Sequence, residues 1–413
     1  MKKIKLTALE RSWILYDIGN SAFILLVSTL IPIYFNSLAT AGGLNESLYL
    51  SYWGYAGSVS TLLVAVIGPI CGTLADHRGF KKPIFMACML LGVLGCAAMG
   101  VTAGWLAFLV VFVLAKVGYS SSLVFYDAML PEVTTDERMD TVSSMGYAYG
   151  YIGSVIPFIL CLLLVLFGGK IGIGTGTAMV VSFLITAVWW FVCTQPLLKR
   201  YRQTAFVEQG GNPVSSTFRR LRDTFREVRQ QKHIFLYLLA FFFFIDGVYT
   251  IIDMATAYGT ALGLDTTGLL LALLLTQFVA FPCAIFAGRL AEKIGTLKVI
   301  RISILIYCGI CIFGYQLDQS WEFWVLAVIV GMAQGGIQSL SRSFYGRIIP
   351  KEESNEYFGF FDIFGKYAAV MGTFLVSIFT QLTGNASIGV LSIAVLFVIG
   401  FALLWRMPEK AES

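Results

Sequence analysis

The chain has 413 residues, 57% of them hydrophobic and only 13% charged, with a formal net charge of +5. A soluble domain cannot hide that much apolar surface behind so few charges, so lipid is the solvent for most of the chain. The positive excess sits in short segments between apolar runs, which argues for membrane topology and against a nucleic-acid surface.

In chain order, the basic start "MKKIKLTALERSW" leads into an apolar run too long for a signal peptide and without an evident cleavage site. It reads as a retained first span. A crossing needs about 20 mostly apolar residues. Twelve segments qualify: 12–38, 49–75, 83–102, 105–130, 142–167 and 173–195, then 234–262, 267–291, 298–316, 321–346, 356–382 and 387–405. Trp13, Trp105, Trp321 and Trp405 fall near their ends, where amphipathic rings favour the interface. Of the 29 Lys and Arg, 26 fall on one side of this topology, Lys170 alone on the other, and Lys116 and Lys366 inside spans. The positive-inside rule therefore predicts both termini in the cytoplasm, with a bacterial plasma membrane as the location. All eight cysteines lie in apolar segments and read as helix packing. Cys308 and Cys311 lack further ligands, so neither a metal nor another cofactor is expected.

An internal duplication orders the rest. "GTLADHRGFKKPI" at 72–84 returns as "GRLAEKIGTLKVI" at 288–300, an offset of 216 that sets Asp76 against Glu292. "SSSLVFYDAMLPE" at 120–132 returns as "SLSRSFYGRIIPK" at 339–351. This second offset, 219, carries on through Glu137 and Glu356, Gly146 and Gly365, and Gly153 and Gly372. The expected fold is therefore an all-α membrane protein of two six-span halves in the same orientation, 1–196 and 234–413, joined by a polar linker at 197–233. Parallel halves facing each other across a cavity are a transporter architecture. Residues 214–232 of the linker read either as a basic amphipathic helix on the anionic inner leaflet or as a solvated tether.

"GTLADHRGFKK" resembles the loop 2–3 signature of the major facilitator superfamily: a glycine, then an acid, then basic residues around a second glycine. The resemblance implies the twelve-helix major facilitator fold, and it assigns Asp76, with Arg78 beside it, to a latch between the halves. The second copy keeps an acid, Glu292, but has Ile294 where the first has Arg78. Four further stretches, "WILYDIGNSAF" (13–23), "FFIDGVYTII" (243–252), "GGIQSLSRSFYGRIIP" (335–350) and "EYFGFFDIFGKYAAVMGT" (356–373), resemble the vacuole-effluxer branch of that superfamily. This branch includes autophagy-related vacuolar amino-acid effluxers of fungi and many bacterial permeases. The match runs through both halves and implies a secondary transporter.

Ionisable groups inside spans are costly and normally face a cavity or a partner. At ~1.5 Å per residue, Asp17 lies in the inner third of the first span and Asn20 nearer its middle. Lys116 falls near mid-membrane in the fourth span, and Asp127 close to its inner end. Asp246 is central in the seventh, with Asp253 two turns farther out. In the tenth, Gln334 is central, followed inward by Gln338 and Arg342. Spans one, four, seven and ten line the cavity in the superfamily resembled, so Asp17, Asn20, Lys116, Asp246, Asp253, Gln334 and Gln338 are the candidates for substrate binding or coupling. Lys116 is the preferred anion partner and Asp246 the preferred cation or proton site. The alternative is that these charges pair with each other and only clamp helices. Asp127 and Arg342, with Asp76, Arg78 and Glu292, are candidates for the gate, and Asp362 with Lys366, four residues on, for a structural ion pair.

Enzyme readings find little: two histidines, His77 and His233, and no metalloprotease, P-loop or dinucleotide motif. The expected function is alternating-access transport of a small charged or zwitterionic solute, amino acids first, by a monomer, with protons as a candidate second cargo. Sugars or nucleosides stacking on Tyr16, Trp53, Tyr119 or Tyr249 are one alternative. A transporter-like receptor that docks partners on its linker is another.

Overall fold

A computed structural model describes residues 5–44, 46–207, 226–261, 266–317 and 319–407. Among them, twelve helices are long and apolar enough to cross a membrane. The first six are α1 (Ala8–Ala41), α2 (Ser51–Ala75), α3 (Lys81–Val101), α4 (Trp105–Ala128), α5 (Asp136–Ile171) and α6 (Thr175–Arg200). The second six are α7 (Lys232–Ile252), α8 (Leu271–Ile294), α9 (Thr296–Tyr315), α10 (Trp321–Ile348), α11 (Lys351–Thr383) and α12 (Ser387–Trp405).

Local chemistry explains how the first span is built. Thr7 Oγ1 accepts from the Glu10 N–H at 3.1 Å and Glu10 Oε2 accepts from the Thr7 N–H at 2.7 Å, a reciprocal cap that starts α1. The single span expected over 12–38 is one crossing, Ala8–Ala41, built of two helical segments, Ala8–Val27 and Leu30–Ala41. At the break, Ser28 Oγ donates to the Ile24 carbonyl at 3.1 Å and Thr29 Oγ1 to that of Leu25 at 2.6 Å. Hydroxyls that take up backbone carbonyls in this way loosen the helical ladder.

Each half has its own aromatic core, one around Trp13, Tyr16, Tyr126 and Trp190, the other around Tyr237, Phe241, Tyr345 and Phe361. Leu62, Val66, Leu160, Val188, Phe286 and Leu305 are exposed, as lipid-facing residues must be. The halves meet where α2 packs along α11 and α5 along α8. Those two contacts are counterparts under the duplication, and a repeated glycine marks each one. A Cβ on Gly72 would stand 2.7 Å from the Asn355 carbonyl oxygen, and one on Gly288 would stand 2.7 Å from the Ser144 side chain. Only a missing side chain permits this approach. Most of the amphipathic helix expected at 214–232 lies outside the described residues; 226–230 are helical.

Candidate functional site

A cavity of about 300 Å³ lies between the halves. Lys116 and Asp127 of α4, Tyr147 of α5, Tyr249 of α7, and Asp362 and Lys366 of α11 all line it. Lys366 Nζ donates to Asp362 at 2.5 Å, and the Lys116 ammonium stands 6.0 Å from the centroid of the Phe112 ring. The wall thus carries two ammonium groups, two carboxylates and aromatic faces. Four of the charges singled out from sequence meet here.

Beside the cavity, at Asp127, a side chain of the second half crosses into the first. Arg342 of α10 enters the first half and is buried there. Its Nη1 donates to Asp127 at 2.9 Å, its Nε to Ser143 Oγ at 2.9 Å, and its Nη2 to the Ser143 carbonyl at 3.0 Å. Asp17 Oδ2 lies 3.5 Å from Nη2. Trp13 and Tyr147 cover the guanidinium, with ring centroids 4.6 and 4.3 Å from Cζ.

A second layer lies below. Asp140 of α5 accepts from Arg347 at 2.6 Å, from Thr296 Oγ1 at 2.6 Å, and from Ser343. Ser143 Oγ donates to the Ser339 carbonyl at 2.7 Å, and Lys351 pairs with Asp136 at 2.9 Å.

The latch candidate Asp76 is fully buried against the start of α11. It accepts from the Asn355 N–H at 3.0 Å, Asn355 Nδ2 at 2.7 Å and the Glu356 N–H at 3.0 Å. A carboxylate there satisfies orphan donors and meets the positive end of the helix dipole. Burial pushes its pKa up to about 6, against the opposing pull of Lys81 and of the Asn355 and Glu356 donors. Glu292, its repeat counterpart, is exposed and accepts from the Thr141 hydroxyl at the start of α5.

Glu132, which the sequence reading did not single out, holds this corner together. It pairs with Lys81, and Lys81 also donates to Ser354 Oγ at 3.1 Å. The chain leaving α6 straps across it: Tyr201 OH donates at 2.7 Å, and the Thr204 and Ala205 N–H groups at 2.5 and 3.0 Å. Burial opposes the charge on Glu132, but Lys81 and the strap donors outweigh that and hold its pKa below the usual carboxylate value. Val207 N–H then donates to the Asp76 carbonyl at 2.9 Å.

Other candidates lie elsewhere. Arg78 is exposed and rests on the linker residue Phe206, 5.3 Å from its ring centroid, and among the described residues it makes no hydrogen bond or ion pair to the second half. Asn20 is buried and donates to the Tyr16 carbonyl of its own helix at 3.0 Å. Gln338 accepts from Tyr151 OH across the halves at 2.9 Å, and Gln334 borders an apolar pocket inside the second half. Asp246 is buried beside α11, where Oδ1 accepts from the Gly372 N–H at 2.9 Å, and Oδ2 has no hydrogen-bond partner among the described residues. The side chain of Asp253 lies outside the described residues. Sequence reasoning missed Lys81, Glu132, Asp140, Ser143 and Arg347. Their one signal was position: Lys81, Asp140, Ser143 and Arg347 lie near the span ends on the side that carries most of the Lys and Arg, and Glu132 in the short loop after the fourth.

Twelve crossing helices in duplicated halves with a cavity between them are the arrangement of a major facilitator transporter. Solved structures share the fold. The human organic anion transporter MFSD10 (TETRAN) matches with a TM-score of 0.68 at 16% identity, over 96% of this chain and 98% of that one. The transporter FucP in its outward conformation matches with a TM-score of 0.71 at 14% identity, over 97% and 98%. Within this class the chain belongs to the family described as "Vacuole effluxer Atg22 like", whose model matches residues 45–412. An uncharacterized MFS-type transporter of Bacillus subtilis, YxiO, is 40% identical over 99% of this chain and 97% of its own length. Autophagy-related protein 22-1 of Penicillium rubens is 27% identical over 65% of this chain. This chain spans about half the length of that fungal relative, 49%.

Proposed function

We propose that this transporter moves a small charged or zwitterionic solute, amino acids first, across a plasma membrane by alternating access, with both termini and the closed gate on the cytoplasmic side. The observation that carries this reading is the cavity wall, where Lys116 and Lys366 stand with Asp127 and Asp362. A solute with both an anionic and a cationic group finds a partner for each, without leaving a desolvated charge unmatched. The excess of Lys and Arg on the gated face supports the orientation. Asp246 is the group proposed to carry a coupled proton: it is buried, and one of its oxygens lacks a hydrogen bond among the described residues.

Flux of radiolabelled amino acids into vesicles holding the purified protein tests the reading. Lys116→Ala is expected to abolish uptake of zwitterions. Undiminished flux in that variant would contradict the charged-solute assignment and favour neutral solutes. Asp246→Asn is expected to remove the pH dependence of flux, and an unchanged pH profile would rule out coupling at that residue.

A further inference from the structure

Arg342 is a side chain of the second half seated in a pocket built wholly by the first. We propose that this pocket is itself a binding site for an organic cation, a guanidinium or a primary ammonium. In this account it is vacated when the halves part at the gate, and then takes the cationic head of the solute in place of Arg342.

Three observations carry the proposal. First, the walls stand without Arg342. Trp13 Nε1 donates to the Tyr126 carbonyl at 3.0 Å and its ring stacks on Tyr126 with centroids 4.3 Å apart, both contacts lying within the first half. Second, the pocket is shaped for a planar cation, with rings on its faces and the Asp127 and Ser143 oxygens at its edge. Third, its acceptors are not used up. Asp17 is buried, its Oδ2 has no hydrogen-bond partner among the described residues, and that atom stands 3.5 Å from the guanidinium. Two carboxylates thus share one cation. Withdrawing Arg342 would leave both without a counter-charge in a site closed off by aromatic rings, a state costly enough that another cation is drawn in. Asp127 also lines the central cavity, so a solute can reach the pocket without leaving the translocation path.

The pocket's affinity for a cation stands on this geometry alone; that the cation belongs to the cargo rests on the transport reading. The probe is methylguanidinium, with urea as its neutral isostere. Purified Arg342→Ala protein is expected to bind methylguanidinium saturably in calorimetry and to melt at a higher temperature with it. Wild-type protein, whose pocket is filled, should bind at least tenfold more weakly. Arg342→Ala combined with Asp127→Asn should lose the binding. Equal binding by wild type and Arg342→Ala, or equal effects of urea, would overturn the proposal. Should Arg342→Ala not fold, a thiol reporter in an otherwise unaltered gate decides. Ser144→Cys labelling should accelerate with methylguanidinium and not with urea, and the absence of acceleration would overturn the proposal. Vesicles that move no solute while Arg342→Ala still binds methylguanidinium would sink the transport reading and leave the pocket standing.

Discussion

The two halves share their helix order and their repeated glycines, yet they bring opposite charges to the surface where they close. The first half supplies Asp17, Asp127, Asp136 and Asp140; the second supplies Arg342, Arg347 and Lys351. At the offset of 219, Asp127 faces Gly346, Asp140 faces Gly359, Arg342 faces Leu123 and Arg347 faces Ala128. None of these gate charges has a duplicate. What both copies keep is the packing device, Gly72 and Gly288, and the acid that meets a helix start in the opposite half, Asp76 and Glu292. Both copies keep the contact surface, while the charges that join them are polarised, acidic in the first half and basic in the second.

This polarity ranks the expected effects. Arg342→Ala removes the one cation from a buried site with two carboxylates and should shift the gate by about 3–5 kcal/mol toward opening. Spin-label distances between the Asp127 end of α4 and the Arg347 end of α10 would then report a mostly open gate. Asp76→Ala comes next. It strips three hydrogen bonds from the start of α11 and should weaken closure by ~1–3 kcal/mol. Glu292→Ala, made in the copy whose acid is exposed, should change the same distances by under ~1 kcal/mol. Equal effects of these two variants would mean that the two copies latch alike.

The pH dependence sharpens the same contrast. Burial raises the Asp76 pKa from 3.8 to about 6 in the closed form, whereas a solvated Asp76 in an opened latch would return toward 3.8. The closed gate therefore binds the proton more tightly, and acidification from pH 6 toward pH 4 should favour closure. Asp76→Asn should flatten that slope. Glu132 works in the opposite sense, because its lowered pKa means that the strap weakens only as the pH falls below its ordinary range. The smallest effect is expected at Lys351→Ala. Its pair with Asp136 has side chains 43% and 50% exposed, so its loss should move the gate by less than ~1 kcal/mol.

Much of this was legible in the sequence because the membrane imposes strong rules. Span length, the sidedness of Lys and Arg and the two repeat offsets lead to twelve helices in two halves, and burial cost singles out Lys116, Asp127, Asp362 and Lys366. Other features resist that reading. Periodicity along one helix gives depth, but not which neighbour a side chain meets, so Arg342 could be placed near the gate without its cage of Trp13, Tyr147 and Ser143. Depth likewise placed Asn20 near mid-membrane, while its side chain turns back to its own backbone at Tyr16. At the break after Val27 two hydroxyls bond backward, but Ser12 and Thr73 do the same inside unbroken helices, so the composition of the span does not reveal the break. The strap over Glu132 joins residues far apart in the chain and carries no motif.

The central claim is that the closed gate rests on an acid in the first half facing a base in the second. The direct measurement is a charge exchange between Asp127 and Arg342, read as the spin-label distance across the gate. Asp127→Arg and Arg342→Asp should each open it, and the two together should restore most of the closed population. A double variant as open as either single one would contradict the account.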